Sequence, residues 1–160
     1  MIEDKLIPFE SIRELCKEQR AKGKVLVFTN GCFDIVHSGH VLYLEEAKAL
    51  GDILVLGLNS DASVTRLKGE SRPINSEIDR AIVLAGLEAI DYVVIFGEDT
   101  PENLIREVGP DILVKGGDWR PDQIVGADFV LASGGIVKSL SYKKGISTTA
   151  ILERLCRKNS

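Results

Sequence analysis

The chain is poor in the residues that build most metal and redox centres. Its 160 residues include two histidines, three cysteines and one tryptophan. Cys16, Cys32 and Cys156 are odd in number and far apart. They form neither a disulfide framework nor a zinc-type C-x-x-C pair, so reduced thiols in a cytoplasmic protein are expected. No stretch reaches the roughly 18 apolar residues of a membrane-crossing helix. The acidic start Met1-Ile2-Glu3-Asp4-Lys5 leads into no signal-peptide core. The expected compartment is therefore the cytoplasm, with no membrane partner. Positive charge is not in excess either: 20 Lys and Arg stand against 24 Asp and Glu, a formal −4. That balance argues against a nucleic-acid partner but leaves room for a small anionic ligand, because local clusters decide such binding. A G-x-G-x-x-G turn after the first strand is missing, and so is a Walker-type phosphate loop. A nicotinamide-dependent oxidoreductase is thereby excluded.

What is present is a regular alternation. A hydrophobic content of 44% with 28% charged residues suits a globular protein, and the length suits one domain over residues 1–160. Helix-period segments are expected over residues 9–21, 38–50, 76–89, 100–108 and from about 147 onward. Apolar strand runs are expected over 25–28, 53–58, 92–96, 112–114, 129–131 and 136–140. Continuous apolar strands between helices predict a parallel sheet covered on both faces, an α/β doubly wound fold of three layers. Ligands of such sheets bind beyond the carboxyl ends of the strands. Asp34, His37, Asp61 and Asp118 all follow strand ends and are expected along that one edge.

The densest information lies in Thr29-Asn30-Gly31-Cys32-Phe33-Asp34-Ile35-Val36-His37-Ser38-Gly39-His40. It is predicted as a glycine-containing turn from strand into helix. His37 and His40, three apart, share one face of the first helical turn. Gly31 and Gly39 allow backbone to approach a ligand closely. Backbone N–H groups at a helix start favour anions, so the two imidazoles beside them suit a phosphate chain. Metal binding competes for two histidines, but no cysteine or carboxylate cluster supplies further ligands at zinc-like spacing. No protein metal site is therefore expected.

Other segments carry two readings each. Ser147-Thr148-Thr149 caps a helix or binds phosphate oxygens. Lys68, Arg72 and Arg80 make a solvated charged face or, with Gly69 and Pro73 shaping a loop, bring cations over a phosphate chain. Asp118-Trp119, after Gly116-Gly117, closes a tight turn or contacts ribose and base. Asp34 fixes its turn or approaches magnesium.

Gly31-Cys32-Phe33-Asp34 with His37-Ser38-Gly39-His40 resembles the first signature of the cytidylyltransferase-like nucleotidyltransferases. Gly145-Ile146-Ser147-Thr148-Thr149 resembles their second. The match runs from about Val25 to Leu155. Thr29-Asn30-Gly31-Cys32-Phe33-Asp34, Asn59-Ser60-Asp61-Ala62-Ser63, Arg66-Leu67-Lys68-Gly69, Ser71-Arg72-Pro73 and Leu113-Val114-Lys115-Gly116-Gly117-Asp118 are similar to the D-glycero-D-manno-heptose 1-phosphate adenylyltransferases. Cytidylyltransferases for glycerol 3-phosphate and choline phosphate usually carry an arginine three residues before the glycine of the second signature. Tyr142 stands there instead, followed by Lys143 and Lys144, either of which could do similar phosphate work.

The resemblance implies a Rossmann-like adenylyltransferase that transfers AMP from ATP to heptose 1-phosphate, giving ADP-heptose and pyrophosphate for lipopolysaccharide. It implies a stand-alone form without the sugar kinase half. The expected cofactor is Mg2+, bound with ATP. ATP and a sugar 1-phosphate are the expected partners, and a homodimer is allowed. By this resemblance His37, His40 and Lys68 are catalytic. Thr29, Asn30, Gly31, Cys32, Phe33, Asp34, Gly39, Lys115, Gly117, Asp118, Gly145, Ser147 and Thr148 bind the nucleotide. Asp61, Arg72 and Arg80 hold the acceptor phosphate. The competing readings are a cytidylyltransferase acting on a small phospho-alcohol and a nucleotide-binding module without catalysis.

Overall fold

The computed structural model describes residues 1–142 and 144–159, so Lys143 lies outside the described residues. Period-two alternation along the strands explains why the sheet is covered twice. Strand β1 (Leu26–Gly31) puts Val27 in one apolar cluster and Leu26 and Phe28 in the other. In β2 (Ile53–Asn59), Leu54, Leu56 and Leu58 join the first cluster and Val55 the second. Helices α2 (Ser38–Lys48) and α4 (Glu77–Ala85) pack on the first face through Tyr43, Leu44, Ala81 and Leu84. On the other face lie α1 (Ile12–Ala21), α5 (Glu102–Val108) and α6 (Ala127–Ala132). The remaining strands are β3 (Tyr92–Phe96), β4 (Ile112–Gly116) and β5 (Ile136–Leu140). All pair in parallel, in the order β3-β2-β1-β4-β5. The α/β sheet expected from the sequence is the one observed.

Register decides where a ligand can enter. β1 pairs with β2 along its whole length, from Leu26↔Ile53 to Gly31↔Leu58. Its pairing with β4 stops at Phe28↔Leu113. Beyond that point Asn30 and Gly31 have no β4 partner, while Lys115 and Gly116 pair with β5 instead. The two central strands therefore part at their carboxyl ends, at the switch in strand order. That is the crevice in which such sheets bind ligands.

Several elements differ from the sequence expectation. Thr29 to Gly31 continue β1 rather than forming a turn. The predicted strand at 129–131 is helical, within α6, which buries Ala127 and Val130 three apart. A three-residue apolar run does not separate strand from helix by period alone. Helix α3 (Asp61–Lys68) was not expected, although Ser60 caps it through Ser63 N–H at 3.2 Å. α1 begins only at Ile12, after a 3-10 turn over Phe9–Ser11. α2 and α4 end at Lys48 and Ala85, earlier than expected. The last helix, α7 (Thr148–Lys158), starts where expected, with Ser147 as its cap. No described helix is long and apolar enough to cross a membrane.

Candidate active site at the parted strand ends

A cavity of about 450 Å³ opens where β1 and β4 separate. Asn30, Gly31, Cys32, Phe33 and Asp34 line one side, with His40 above them; Lys115, Gly116 and Trp119 line the other. Lys68 and Arg72 enter from the segment after β2, and Tyr142 and Thr148 from the far end of the chain.

The two histidines meet as the spacing predicts. Their rings stack at 3.8 Å between centroids and 21° between planes. His37 is the N-cap residue of α2, and His40 lies in its first turn. Each ring has a buried Nδ1 without a hydrogen-bond partner among the described residues. Burial favours the neutral form of both rings. Burial lowers both imidazoles, and His40 falls to about 4 under burial, the adjacent His37 and the charge of Lys68. An anion arriving here meets neutral rings and raises their proton affinity.

Phe33 supports His40 from below. It is the one non-glycine residue with positive φ among those described, at 45°, a conformation costly for an L side chain. Its ring lies 5.0 Å from the His40 ring. Gly31 makes this possible: a Cβ there would stand 2.7 Å from the Phe33 ring.

Asp34 fixes its turn. Its side chain is fully buried, accepts from Ile74 N–H and Asn75 N–H at 2.9 and 3.0 Å, and pairs with Arg72 Nε at 2.6 Å. Burial would raise this carboxyl, but the two amides and the guanidinium outweigh it and hold the group below its usual range. The carboxylate thus clamps the loop bearing Arg72 against the end of β1. No group of three or more His, Cys, Asp or Glu side chains among the described residues is placed to hold a metal ion.

Several predicted residues occupy other places. Arg80 was expected on a substrate phosphate, but its side chain has no exposed surface. It donates to the carbonyls of Cys32, Asn59 and Asn75 at 2.7, 2.9 and 3.0 Å and to Asp61 at 2.8 Å. It joins the ends of β1 and β2 to the start of α4 and does not line the cavity. Asp61 accepts from Arg80 at the start of α3 and does not line the cavity. Thr29 is fully buried, its hydroxyl 2.6 Å from that of Tyr43. Asp118 is exposed outside the cavity lining, whereas the neighbouring Trp119 lines it and donates from Nε1 to Gly116 O at 3.0 Å. Gly39, Gly117 and Gly145 shape backbone beside the cavity without lining it; Gly117 and Gly145 have φ of 100° and 85°. His37 does not line the cavity either; it stacks on His40, which does.

The distant signature does arrive. Thr148 lines the cavity and donates its hydroxyl to Ile35 O at 3.2 Å, while Ser147 caps α7 by accepting from Ala150 N–H. Lys68 stands at the last turn of α3 without a carboxylate partner among the described residues. Lys115 is half-buried and its ammonium is lowered by burial; burial likewise raises the Cys32 thiol, against the pull of Lys68, Arg80 and Arg72. Sequence reasoning missed Leu67, Asp99, Thr100, Pro101 and Val125, which also line the cavity. Asp99 and Thr100 follow the end of β3, the signal that identified the other strand-end residues.

The family model described as cytidylyltransferase-like matches residues 28–154. The chain is 54% identical over 153 residues to the bifunctional protein HldE of Wolinella succinogenes, covering 96% of this chain and 31% of that protein. It is 60% identical over 138 residues to HldE of Pseudomonas fluorescens, covering 86% and 29%. It therefore spans under a third of the length of these curated relatives. Among solved structures, the lipopolysaccharide core biosynthesis protein of Thermoplasma volcanium matches with a TM-score of 0.61 at 32% identity, over 78% of this chain and all of that one. A pantoate-beta-alanine ligase from Francisella tularensis has the same TM-score at 12% identity, over 96% of this chain and 76% of the other, a likeness of fold.

Proposed function

This chain belongs to the cytidylyltransferase-like family, and from that premise we propose that it is an adenylyltransferase. It joins the AMP portion of ATP to D-glycero-D-manno-heptose 1-phosphate, releasing pyrophosphate and ADP-heptose. The observation that carries the reading is the convergence of His40, Lys68 and Thr148 on one cavity, with His37 stacked on His40, in a chain 54% identical to HldE. The identity to HldE and to a lipopolysaccharide core biosynthesis protein supports a heptose acceptor.

The chemistry suits this set of residues. An oxygen of the sugar 1-phosphate attacks the α-phosphorus in line, and the bond to the β-phosphate oxygen breaks. The nucleophile is already anionic at neutral pH, so neither an activated serine nor a strong general base is required. Catalysis then consists of positioning and stabilisation of developing charge. His40, with His37 stacked on it, meets the α-phosphate as charge grows. Lys68 and the start of α7 at Ser147 and Thr148 hold the β and γ phosphates. Arg72, braced by Asp34, faces the acceptor phosphate. Arg80 and Asp61 act behind the site, holding the strand ends. Magnesium enters as part of the substrate, MgATP, coordinated by phosphate oxygens and water.

In this reading residues 1–160 form one catalytic domain, working on small cytoplasmic solutes, and a homodimer is allowed. The test is a matrix of nucleoside triphosphates against phosphorylated sugars and alcohols, scored by pyrophosphate release. ATP with heptose 1-phosphate should dominate. Turnover of CTP with glycerol 3-phosphate in its place would overturn the reading.

A further inference from the structure

The cavity has two chemically different ends. Beyond β4 it is aromatic and apolar, with Trp119, Tyr142 and Val125. Beyond β2 and β3 it is lined by Asn59, Asp99 and Thr100, each able to accept a hydrogen bond.

Asn59 is 4% exposed. Its amide orientation is set by a relay: Ser63 Oγ donates to Glu98 O at 3.0 Å, so it must accept from Asn59 Nδ2 at 2.9 Å. The side-chain Oδ1 of Asn59 is left without a protein partner among the described residues, in a residue that lines the cavity. Asp99 is oriented in a similar way. Arg66 Nε donates to its Oδ1 at 2.7 Å, and the same guanidinium is anchored on Gly97 O. Oδ2 has no protein donor among the described residues. Asn59 thus presents a nearly buried oxygen held for an outside donor, and Asp99, three residues beyond β3, adds a solvent-exposed one oriented by Arg66. An array of acceptors selects hydroxyl groups, and a flat purine finds its match among the aromatic side chains Trp119 and Tyr142.

We propose that Asn59, Asp99 and Thr100 form the subsite that reads the hydroxyl groups of the polyhydroxylated acceptor, with its phosphate end directed toward Lys68 and Arg72. This rests on the adenylyltransferase reading and adds to it where the sugar lies. Specificity for a polyol follows chiefly from Asn59, whose nearly buried Oδ1 is left unsatisfied by a ligand lacking the matching hydroxyl, while the exposed Asp99 and Thr100 add hydrogen bonds at the rim.

The test is steady-state kinetics of Asp99→Asn and Thr100→Val with MgATP and heptose 1-phosphate. It is paired with ATP titrations followed by the fluorescence of Trp119, the one tryptophan in the chain. Asp99→Asn retains an oxygen for Arg66, and Thr100→Val conserves shape, so circular dichroism should match the wild type. The acceptor KM should rise about tenfold, the scale of one lost hydrogen bond to a charged group. The ATP KM and the fluorescence titration should stay within about twofold, as expected when nucleotide contacts are untouched. An active wild type whose two variants keep the acceptor KM, or lose ATP affinity instead, overturns the subsite alone. A wild type that turns over no sugar 1-phosphate overturns the adenylyltransferase reading and the subsite with it.

Discussion

The hydroxyl of Thr148 donates to the carbonyl of Ile35 at 3.2 Å, across 113 residues of chain. This bond brings the start of α7 to the loop that carries the two histidines. It is one direct link between the two ends of the chain at the cavity, beside the Tyr43–Tyr142 ring contact. Thr148→Val should keep the fold and lower turnover, because the bond and any phosphate contact disappear together. Circular dichroism with kcat measurement checks this; unchanged kcat would remove Thr148 from the site.

His40→Ala should lower kcat about 100- to 1,000-fold, the effect of removing one transition-state donor. The ATP KM should change far less. A near-normal kcat would take His40 out of the chemistry.

The depressed His40 basicity has a defined sign. Its ordinary value is 6.5 and its folded value about 4, so between these the unfolded chain binds more protons than the folded one. Stability contributed by neutral His40 is present above pH 6.5 and is lost as pH falls toward 4. Urea unfolding at pH 7 and pH 5 should show a larger loss for the wild type than for His40→Asn. Over the same window ATP binding should take up protons, which calorimetry in buffers of different ionisation enthalpy detects.

Lys68→Ala should weaken nucleotide binding and slow turnover together, since this exposed cation lines the cavity with no carboxylate partner among the described residues. Equilibrium ATP titration and single-turnover rates measure the two effects separately. If both were unchanged, the phosphate contact would be lost from the scheme.

Arg80→Met should act through the fold. It leaves the carbonyls of Cys32 and Asn59 without their donor and Asp61 without its cation. A loss of about 3–5 kcal/mol is expected from breaking such a buried network. Chemical denaturation measures it. A variant of normal stability that had lost only acceptor affinity would restore the phosphate-ligand role.

Some of this site is local and some is not. His37 and His40 could be read because i and i+3 positions share a helical face whatever surrounds them, and the strand-end rule placed Asp34 beside them. The partners of Asp34 could not be read: Arg72, Ile74 and Asn75 lie 38 to 41 residues away. Arg80 looked like a surface cation because charge and loop context are all that a linear reading offers. Its burial is a consequence of three carbonyl groups converging on it. Asp99 and Thr100 belong to no motif and were passed over.

Hydrophobic period and the turn residues determine the alternating α/β order, the doubly covered sheet and the stacking of the two imidazoles, since these depend on neighbours within a few residues. Register is a different matter. Where β1 parts from β4, which cations face the cavity and which are buried behind it, and where the hydroxyl-rich helix tip arrives all depend on packing between segments far apart in the chain. Side-chain burial and hydrogen-bond competition decide those placements, and both exist only once the strands have assembled.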